Sequence, residues 1–266
     1  MGMFTGEFYA ESLRMTTQLK VIFPDCSNDV TPVIGGTPCV LYLLHGLAAN
    51  AGEWTRFSKI EYYAKKYNLI VIMPEVQRSF YIDAAYGPKY FSYVSEELPR
   101  ICNIWFRLPD GREKTFVAGE SMGGYGAVKC ALRCPERFGA AASLSGVLDF
   151  ARIVHDVMLG RWTDVEPCEL KALLGNEGTV SEEDDVLALV RKTAEDEKRP
   201  RLFQTCGTED FLYTHNLTFR DAARTAGYGH TYMECPGDHE WPFWDKAIQY
   251  AIQFFYGLDR ATTPIY

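Results

Sequence analysis

Short apolar runs alternate with segments of helical periodicity along most of this chain, and no other feature restricts its fold as strongly. Residues 39–44 and 69–73 are continuous apolar runs, as expected for strands buried on both faces of a sheet. Further strand-like segments cover residues 115–118, 140–144, 201–206 and 230–235. The alternation predicts an α/β fold with a mostly parallel central sheet and helices on both faces.

The remaining elements follow from local patterns. Weak alternation over residues 13–23 predicts an antiparallel strand. Apolar residues at helical spacing predict helices over residues 54–67, 90–106, 122–133, 217–226 and 240–255. Pro99 should kink the second of these helices.

Residues 149–200 interrupt the alternation, because they are rich in charge and contain no convincing strand. Two interpretations are equally open: a helical cap insertion over the carboxyl edge of the sheet, or an ordinary helix with long loops. No internal repeat or linker divides the 266 residues. We therefore expect a single domain over residues 1–266 that contains this insertion.

Charge and composition exclude several classes of function. The chain carries 27 basic and 35 acidic residues, a net charge of −8, without a basic cluster that could bind nucleic acid or an anionic membrane. No apolar run approaches the roughly 20 residues of a membrane-spanning helix. No secretory signal is evident, so we expect a cytoplasmic protein. Its oligomeric state is open, and a homo-oligomer is compatible with the sequence.

Eight cysteines are present, but none forms a CxxC pair. Cys130 and Cys134 lie four residues apart on a predicted helix without a histidine beside them that would complete a zinc site. In a protein without a secretory signal, these cysteines are expected to be reduced. We expect neither a metal ion nor a cofactor.

The string Gly119-Glu120-Ser121-Met122-Gly123-Gly124 fits the pattern G-x-S-x-G. An apolar strand precedes it and a helix follows, which is the arrangement of a nucleophile elbow. Such a turn holds the serine in a strained backbone conformation and projects its hydroxyl from the sheet edge, while the glycines allow strand and helix to approach closely. The sequence therefore predicts that Ser121 is a nucleophile.

A serine hydroxyl needs a base, and this arrangement places an acid and then a histidine after the serine. His239 follows the end of the last predicted strand, on the edge where Ser121 emerges. His215 begins a helix and His230 lies at the opposite edge, whereas His45 and His155 precede the acid and are interpreted as structural or surface residues. We predict His239 as the base.

The acid should follow the strand over residues 201–206. Asp210 is the first choice. The role of this acid is to hold the tautomer of the imidazole and to stabilise the imidazolium. Glu209 is the alternative, and Asp238 is too close to His239 in sequence.

Two backbone donors are needed to stabilise a tetrahedral oxyanion. Chain order predicts the N–H of Met122, which follows the nucleophile, and the N–H of Leu47 in the loop after residues 39–44. Ala48, Ala49 and Ala51 leave room near these donors.

Aromatic residues on the same edge would suit an apolar pocket, although core packing is the alternative for each of them. Trp54 and Trp241 are the predicted substrate contacts, because they flank the oxyanion loop and the base. Other aromatic residues in this region are Phe80, Tyr81, Tyr86 and Trp244.

With these pieces in place, the sequence resembles the esterase D branch of the α/β-hydrolases, and within it the bacterial tributyrin-esterase type. The resemblance covers nearly the whole chain. It is carried by four motifs: Tyr42-Leu43-Leu44-His45-Gly46, Gly119 to Gly126, Gly207 to Tyr213 and His239-Glu240-Trp241.

The resemblance implies the α/β-hydrolase fold, with the insertion after its sixth strand. It also implies metal-independent hydrolysis of small carboxylic esters with short acyl or acetyl groups, through an acyl-enzyme. An S-formylglutathione-type thioesterase, a feruloyl or cinnamoyl esterase and an acyltransferase are alternatives on the same triad. The glutathione-thioester relatives carry Ser-Gly-Leu-Thr-Cys where this chain has His-Gly-Leu-Ala-Ala, which argues against that substrate.

Overall fold

A computed structural model describes residues 2–25 and 30–266 of the chain; Cys26 lies outside the described residues. A single eight-stranded sheet organises them, in the order β1-β2-β4-β3-β5-β6-β7-β8. The strands are β1 (Gly2–Ala10), β2 (Met15–Phe23), β3 (Cys39–Leu44), β4 (Leu69–Pro74), β5 (Thr115–Glu120), β6 (Ala140–Leu144), β7 (Arg201–Gly207) and β8 (Thr231–Cys235). From β4 to β8 every neighbouring pair is parallel, as the apolar runs predicted.

The antiparallel part of the sheet lies at one edge. The predicted strand over residues 13–23 is found as β2, which pairs antiparallel with β4. Sequence analysis missed β1, which pairs with β2 over its whole length. Its residues are largely exposed, because an edge strand has a weaker apolar pattern than a strand in the centre of a sheet.

Helices cover both faces of the sheet, in agreement with the predicted fold class. They are α1 (Glu53–Phe57), α2 (Ile60–Lys66), α3 (Tyr90–Ser92), α4 (Leu98–Phe106), α5 (Met122–Arg133), α6 (Phe150–Met158), α7 (Pro167–Leu174), α8 (Val186–Lys192), α9 (Tyr213–Thr225) and α10 (Trp241–Phe255). One apolar core lies under α1, α2 and α10, and the other lies under the helices of the opposite face.

Two predicted helices are interrupted. The helix predicted over residues 54–67 is divided at Ser58 into α1 and α2, because the Ser58 hydroxyl and N–H both bond the Trp54 carbonyl and end α1. The helix over residues 90–106 contains a π-helical turn, Tyr93–Glu97, between α3 and α4. The interruption lies just before Pro99, where the missing N–H disturbs regular α-helical bonding.

Residues 149–200 form α6, α7 and α8 and contain no strand, as expected. Three polar contacts attach the segment to α5. Lys129 Nζ lies 3.0 Å from Asp184 Oδ1, the Tyr125 hydroxyl donates to the Asp184 carbonyl at 2.7 Å, and Arg133 pairs with Glu183 at 2.6 Å. In the part of the chain described, no helix is both long and apolar enough to cross a membrane.

Candidate active site

Ser121 occupies a sharp turn between β5 and α5. Its backbone has φ 54° and ψ −119°, a conformation that costs a non-glycine residue free energy and is held here by the surrounding packing. A Cβ on Gly119 would lie 2.8 Å from the Leu44 carbonyl oxygen, and one on Gly123 would overlap the same carbonyl group. Strand and helix can therefore approach closely only because both positions are glycine.

His239 and Asp210 converge on Ser121 from two other strand ends. His239 lies between β8 and α10, and its Nε2 is 3.0 Å from Ser121 Oγ. Asp210 follows β7, and its Oδ2 and Oδ1 lie 2.9 and 3.1 Å from His239 Nδ1. The structure thus brings together all three predicted residues in a continuous chain of hydrogen bonds from carboxylate to hydroxyl.

The two other acids considered for this role lie elsewhere. Glu209 is exposed and accepts hydrogen bonds from the Gly237 N–H and the Thr208 hydroxyl. Asp238 is also exposed and accepts the backbone N–H of His239 at 2.7 Å. Among the described residues, the imidazole ring bonds the carboxylate of Asp210 and not those of Glu209 and Asp238.

In the part of the chain described, no other histidine forms a hydrogen bond with the Ser121 hydroxyl. His45 is buried beneath the loop after β3, and His155 is exposed. His215 is buried in α9, and His230 precedes β8 at the opposite edge of the sheet. Burial lowers the pKa of His230 to about 4, helped by nearby arginines.

The surroundings of Asp210 favour its ionised form. Its side chain is fully buried, which raises its pKa, but the hydrogen bond and charge of His239 and the N–H of Leu212 outweigh burial. The pKa of Asp210 is therefore held below its ordinary value. A buried carboxylate so placed fixes the proton of the imidazole on Nδ1 and leaves Nε2 free to accept.

Two aromatic rings hold the imidazole of His239. The centroid of the Phe211 ring lies 4.4 Å from that of His239 at 48°, and the Trp244 ring meets it edge-on at 4.9 Å and 90°. Sequence reasoning missed Phe211, although its position directly after the predicted acid was a signal for it.

Two cavities meet at Ser121, and Leu47, Ala48 and His239 line both of them. The first, called here the apolar branch, has a volume of about 350 Å³. Its further lining residues are Arg78, Phe80, Met122, Val147, Ile153, Trp162, Asp164, Phe211 and Leu212. The second, called the acidic branch, has a volume of about 390 Å³, and its further lining residues are Ala49, Glu53, Glu120, Glu240, Trp241 and Trp244.

The predicted pocket residues are only partly found at these cavities. Trp241 lines the acidic branch, but the Trp54 side chain is 1% exposed and its indole N–H donates to the Leu44 carbonyl at 3.1 Å. Trp54 therefore contacts Trp241 from behind, at a centroid distance of 5.2 Å, and is a core residue rather than a substrate contact. The reason is that α1 turns its apolar side toward the sheet.

The other residues considered for the pocket also divide into those that line the cavities and those that do not. Phe80 and Trp244 line the cavities, whereas Tyr81 is buried with its hydroxyl bonded to the His45 carbonyl, and Tyr86 is exposed. Ala51 is buried.

Several pocket residues carried no signal in the sequence. Ile153, Trp162 and Asp164 belong to the segment 149–200 and reach the apolar branch only through the packing of that segment. Within residues 2–25 and 30–266, no group of three or more histidine, cysteine, aspartate or glutamate side chains is arranged to hold a metal ion.

A strand–serine–helix turn, a buried acid and a histidine at neighbouring ends of a mostly parallel sheet define an α/β-hydrolase. The profile of the esterase family described as "Putative esterase" matches residues 12–255, so the chain belongs to this family. It is a carboxylic ester hydrolase that uses a serine.

Three relatives place it more closely. An acetyl esterase of Caldicellulosiruptor saccharolyticus is 30% identical over 260 residues, which are 96% of this chain and 98% of that protein. The fluorophosphonate-binding serine hydrolase FphF of Staphylococcus aureus, solved with substrate bound, is 34% identical with a TM-score of 0.84. The S-formylglutathione hydrolase FrmB of the same organism is 34% identical with a TM-score of 0.80. Each structure is matched over 98% of its length and 96% of this chain.

Proposed function

We propose that the protein hydrolyses esters of short acyl groups, acetate above all, through an acyl-enzyme on Ser121. The observation that carries this proposal is the chain of contacts from Asp210 to His239 Nδ1 at 2.9 Å and from Nε2 to Ser121 Oγ at 3.0 Å. The acetyl esterase relative supports the choice of acyl group.

The reaction begins when Ser121 Oγ attacks the acyl carbon and its proton passes to His239 Nε2. Asp210 stabilises the imidazolium. When the tetrahedral intermediate collapses, the imidazolium gives the proton to the leaving alcohol, and Ser121 keeps the acyl group. Water, deprotonated by His239, then attacks the acyl-enzyme and releases the acid.

The backbone N–H groups of Leu47 and Met122 are proposed as the oxyanion hole. Both residues line the apolar branch beside Ser121. Met122 is the first residue of α5, where N–H groups lack partners within the helix and the helix dipole favours negative charge. Among the described residues, neither N–H donates to a protein acceptor.

The two branches are proposed to hold the two parts of the ester. The acyl chain would occupy the apolar branch, and the alcohol would leave through the acidic branch, where Glu53 and Glu240 lie beside Trp241. No lysine or arginine among the described residues lines the acidic branch. An anionic leaving group such as glutathione is therefore disfavoured there, which argues for an oxygen ester over the thioester suggested by the FrmB relative.

A substrate panel tests this assignment. Wild-type protein should hydrolyse p-nitrophenyl acetate and butyrate faster than the octanoate, methyl ferulate or S-formylglutathione. Tributyrin belongs in the panel, because membership of the tributyrin-esterase type is a proposal. Products formed in the presence of an acceptor alcohol would reveal acyl transfer. The cytoplasmic location, the homo-oligomer and the lack of nucleic-acid binding also stay predictions.

Ser121→Ala should abolish both the p-nitrophenyl acetate burst and labelling by a fluorophosphonate probe. Ser95→Ala is the matched control, since Ser95 is a buried serine that bonds the Phe91 carbonyl in the π-helical turn and lines neither cavity. Ser95→Ala should keep wild-type turnover and labelling, and turnover retained in a folded Ser121→Ala variant would refute the assignment.

A further inference from the structure

Glu120 is a buried carboxyl group that the proposed mechanism does not use. It is the last residue of β5, directly before Ser121, and it is 2% exposed. It lines the acidic branch together with Ser121 and His239. Because an unpartnered carboxyl group in a protein core is costly, its partner should reveal why it is there.

The partner is the backbone of the proposed oxyanion loop. The N–H of Gly46 donates a hydrogen bond to Glu120 Oε1. The fit is close, since a Cβ on residue 46 would overlap the Glu120 carboxyl group. Gly46 is bonded directly to Leu47, so the Glu120 carboxyl holds the peptide next to the proposed oxyanion donor.

The rest of this turn is held by further hydrogen bonds. The Val76 N–H donates to His45 Nε2 at 3.1 Å, so the ring proton lies on Nδ1 and donates to the Gly46 carbonyl at 2.8 Å. The Tyr81 hydroxyl donates to the His45 carbonyl at 2.8 Å. Glu120 secures the Gly46 N–H, the remaining polar group of that residue.

The charge state of Glu120 suits this position. Burial raises its pKa well above the ordinary value, the Gly46 N–H opposes the rise, and the negative charge of Glu53 adds to it. His239 and Glu240 face it across the acidic branch, and Tyr81 lies close enough to interact with it. A neutral carboxyl accepts a hydrogen bond without placing a negative charge beside a developing oxyanion.

We propose that Glu120 is a positioning residue, which fixes the Gly46–Leu47 turn against the nucleophile and thereby aligns the Leu47 N–H with the oxyanion. The inference rests on the proposed function. It predicts an effect on the transition state rather than on substrate binding, because the oxyanion forms only after attack.

The test compares Glu120→Gln, which keeps an acceptor oxygen, with Glu120→Met, which keeps the volume and loses the acceptor. Glu120→Met should lower kcat for p-nitrophenyl acetate about 10- to 100-fold and leave KM within about twofold, since removal of a whole oxyanion donor lowers kcat by roughly 100- to 1,000-fold. Glu120→Gln should restore kcat to within about threefold of wild type. If Glu120→Met does not fold, Glu120→Ala removes the acceptor without adding volume and gives the same readouts.

Glu97 offers a matched control. It is also a buried glutamate that holds a loop, accepting the N–H groups of Glu11 and Ser12 at 2.7 and 2.9 Å, and it lines neither cavity at Ser121. Glu97→Met should lower stability and leave kcat unchanged.

Wild-type kcat in Glu120→Met, or equal losses in the Met and Gln variants, would overturn the positioning role. The hydrolase assignment would survive either result as long as Ser121→Ala is inactive.

Discussion

Replacement of Asp210 by asparagine tests the proposed proton relay, because it keeps the volume of the side chain and removes its charge. Asp210 Oδ1 accepts the Leu212 N–H at 2.8 Å, while Oδ2 lies 2.9 Å from His239 Nδ1. In Asp210→Asn the amide oxygen keeps the Leu212 bond, so the NH₂ group faces Nδ1. Nδ1 must then accept, and the ring proton moves to Nε2. Nε2 can no longer take the proton of Ser121.

The expected loss follows from that change of tautomer. In a serine hydrolase with a Ser-His-Asp triad, an imidazole held in the wrong tautomer lowers kcat about 10⁴-fold. This corresponds to about 5 kcal/mol of transition-state stabilisation, at about 1.36 kcal/mol per factor of ten. Binding of the ester should change little, because Asp210 is buried behind the imidazole and lines neither cavity.

The assay is the stopped-flow burst of p-nitrophenol together with the rate of fluorophosphonate labelling, and both should fall in parallel. Glu209→Gln and Asp238→Asn are the controls, since these exposed acids bond only neighbouring backbone and hydroxyl groups. Both should stay within about threefold of wild type. A loss of less than tenfold in Asp210→Asn, or a larger loss in either control, would refute the reasoning.

Three further predictions concern charge. Acetylthiocholine, S-acetyl-mercaptoethanol and S-acetylglutathione are acetyl thioesters with cationic, neutral and anionic leaving groups, and their kcat/KM should fall in that order. Glu53→Gln and Glu240→Gln should each reduce the ratio of kcat/KM between the cationic and anionic substrates about threefold at low salt. An unchanged ratio in both variants would exclude an electrostatic role. Asp184→Asn should lower the free energy of unfolding in urea by about 3 kcal/mol, because it leaves the buried Lys129 ammonium unpaired; a loss below about 1 kcal/mol would contradict this. Because the pKa of Glu120 is raised in the folded protein, Glu120 keeps a proton there that it loses in the unfolded chain above its ordinary pKa. The stability of the wild type should therefore fall relative to that of Glu120→Gln as pH rises from 5 to 8. Parallel stability curves for the two proteins would show that Glu120 is ionised in the folded state.

The convergence of Ser121, Asp210 and His239 was predictable because each of these residues follows the end of a strand, and the apolar runs locate the strands along the chain. The glycines of the G-x-S-x-G pattern identified Ser121, and the position of His239 after the last strand identified the base. The sequence analysis did not find the role of Glu120, since the pattern G-x-S-x-G leaves that position free and its partner Gly46 lies 74 residues away. Trp54 was misassigned for a related reason: its distance from the oxyanion loop in sequence does not tell which way its helix faces.

The pocket wall was the least predictable part, because it depends on how residues 149–200 pack. The same packing also bears on whether the segment is a helical cap insertion or an ordinary helix with long loops. Asp184 accepts hydrogen bonds from Tyr125 and Lys129 on α5, the helix that begins directly after Ser121.

Lys129 Nζ also reaches the carbonyl of Phe80, a residue of the apolar branch, at 3.4 Å. One buried ammonium group thus joins the insertion, the pocket wall and the helix of the nucleophile. Moving Asp184 away from α5 would leave that charge without its carboxylate, at the several kcal/mol expected for a buried ion. We therefore expect residues 149–200 to form a fixed wall, and substitutions at Ile153 or Trp162 should change acyl preference without displacing Ser121.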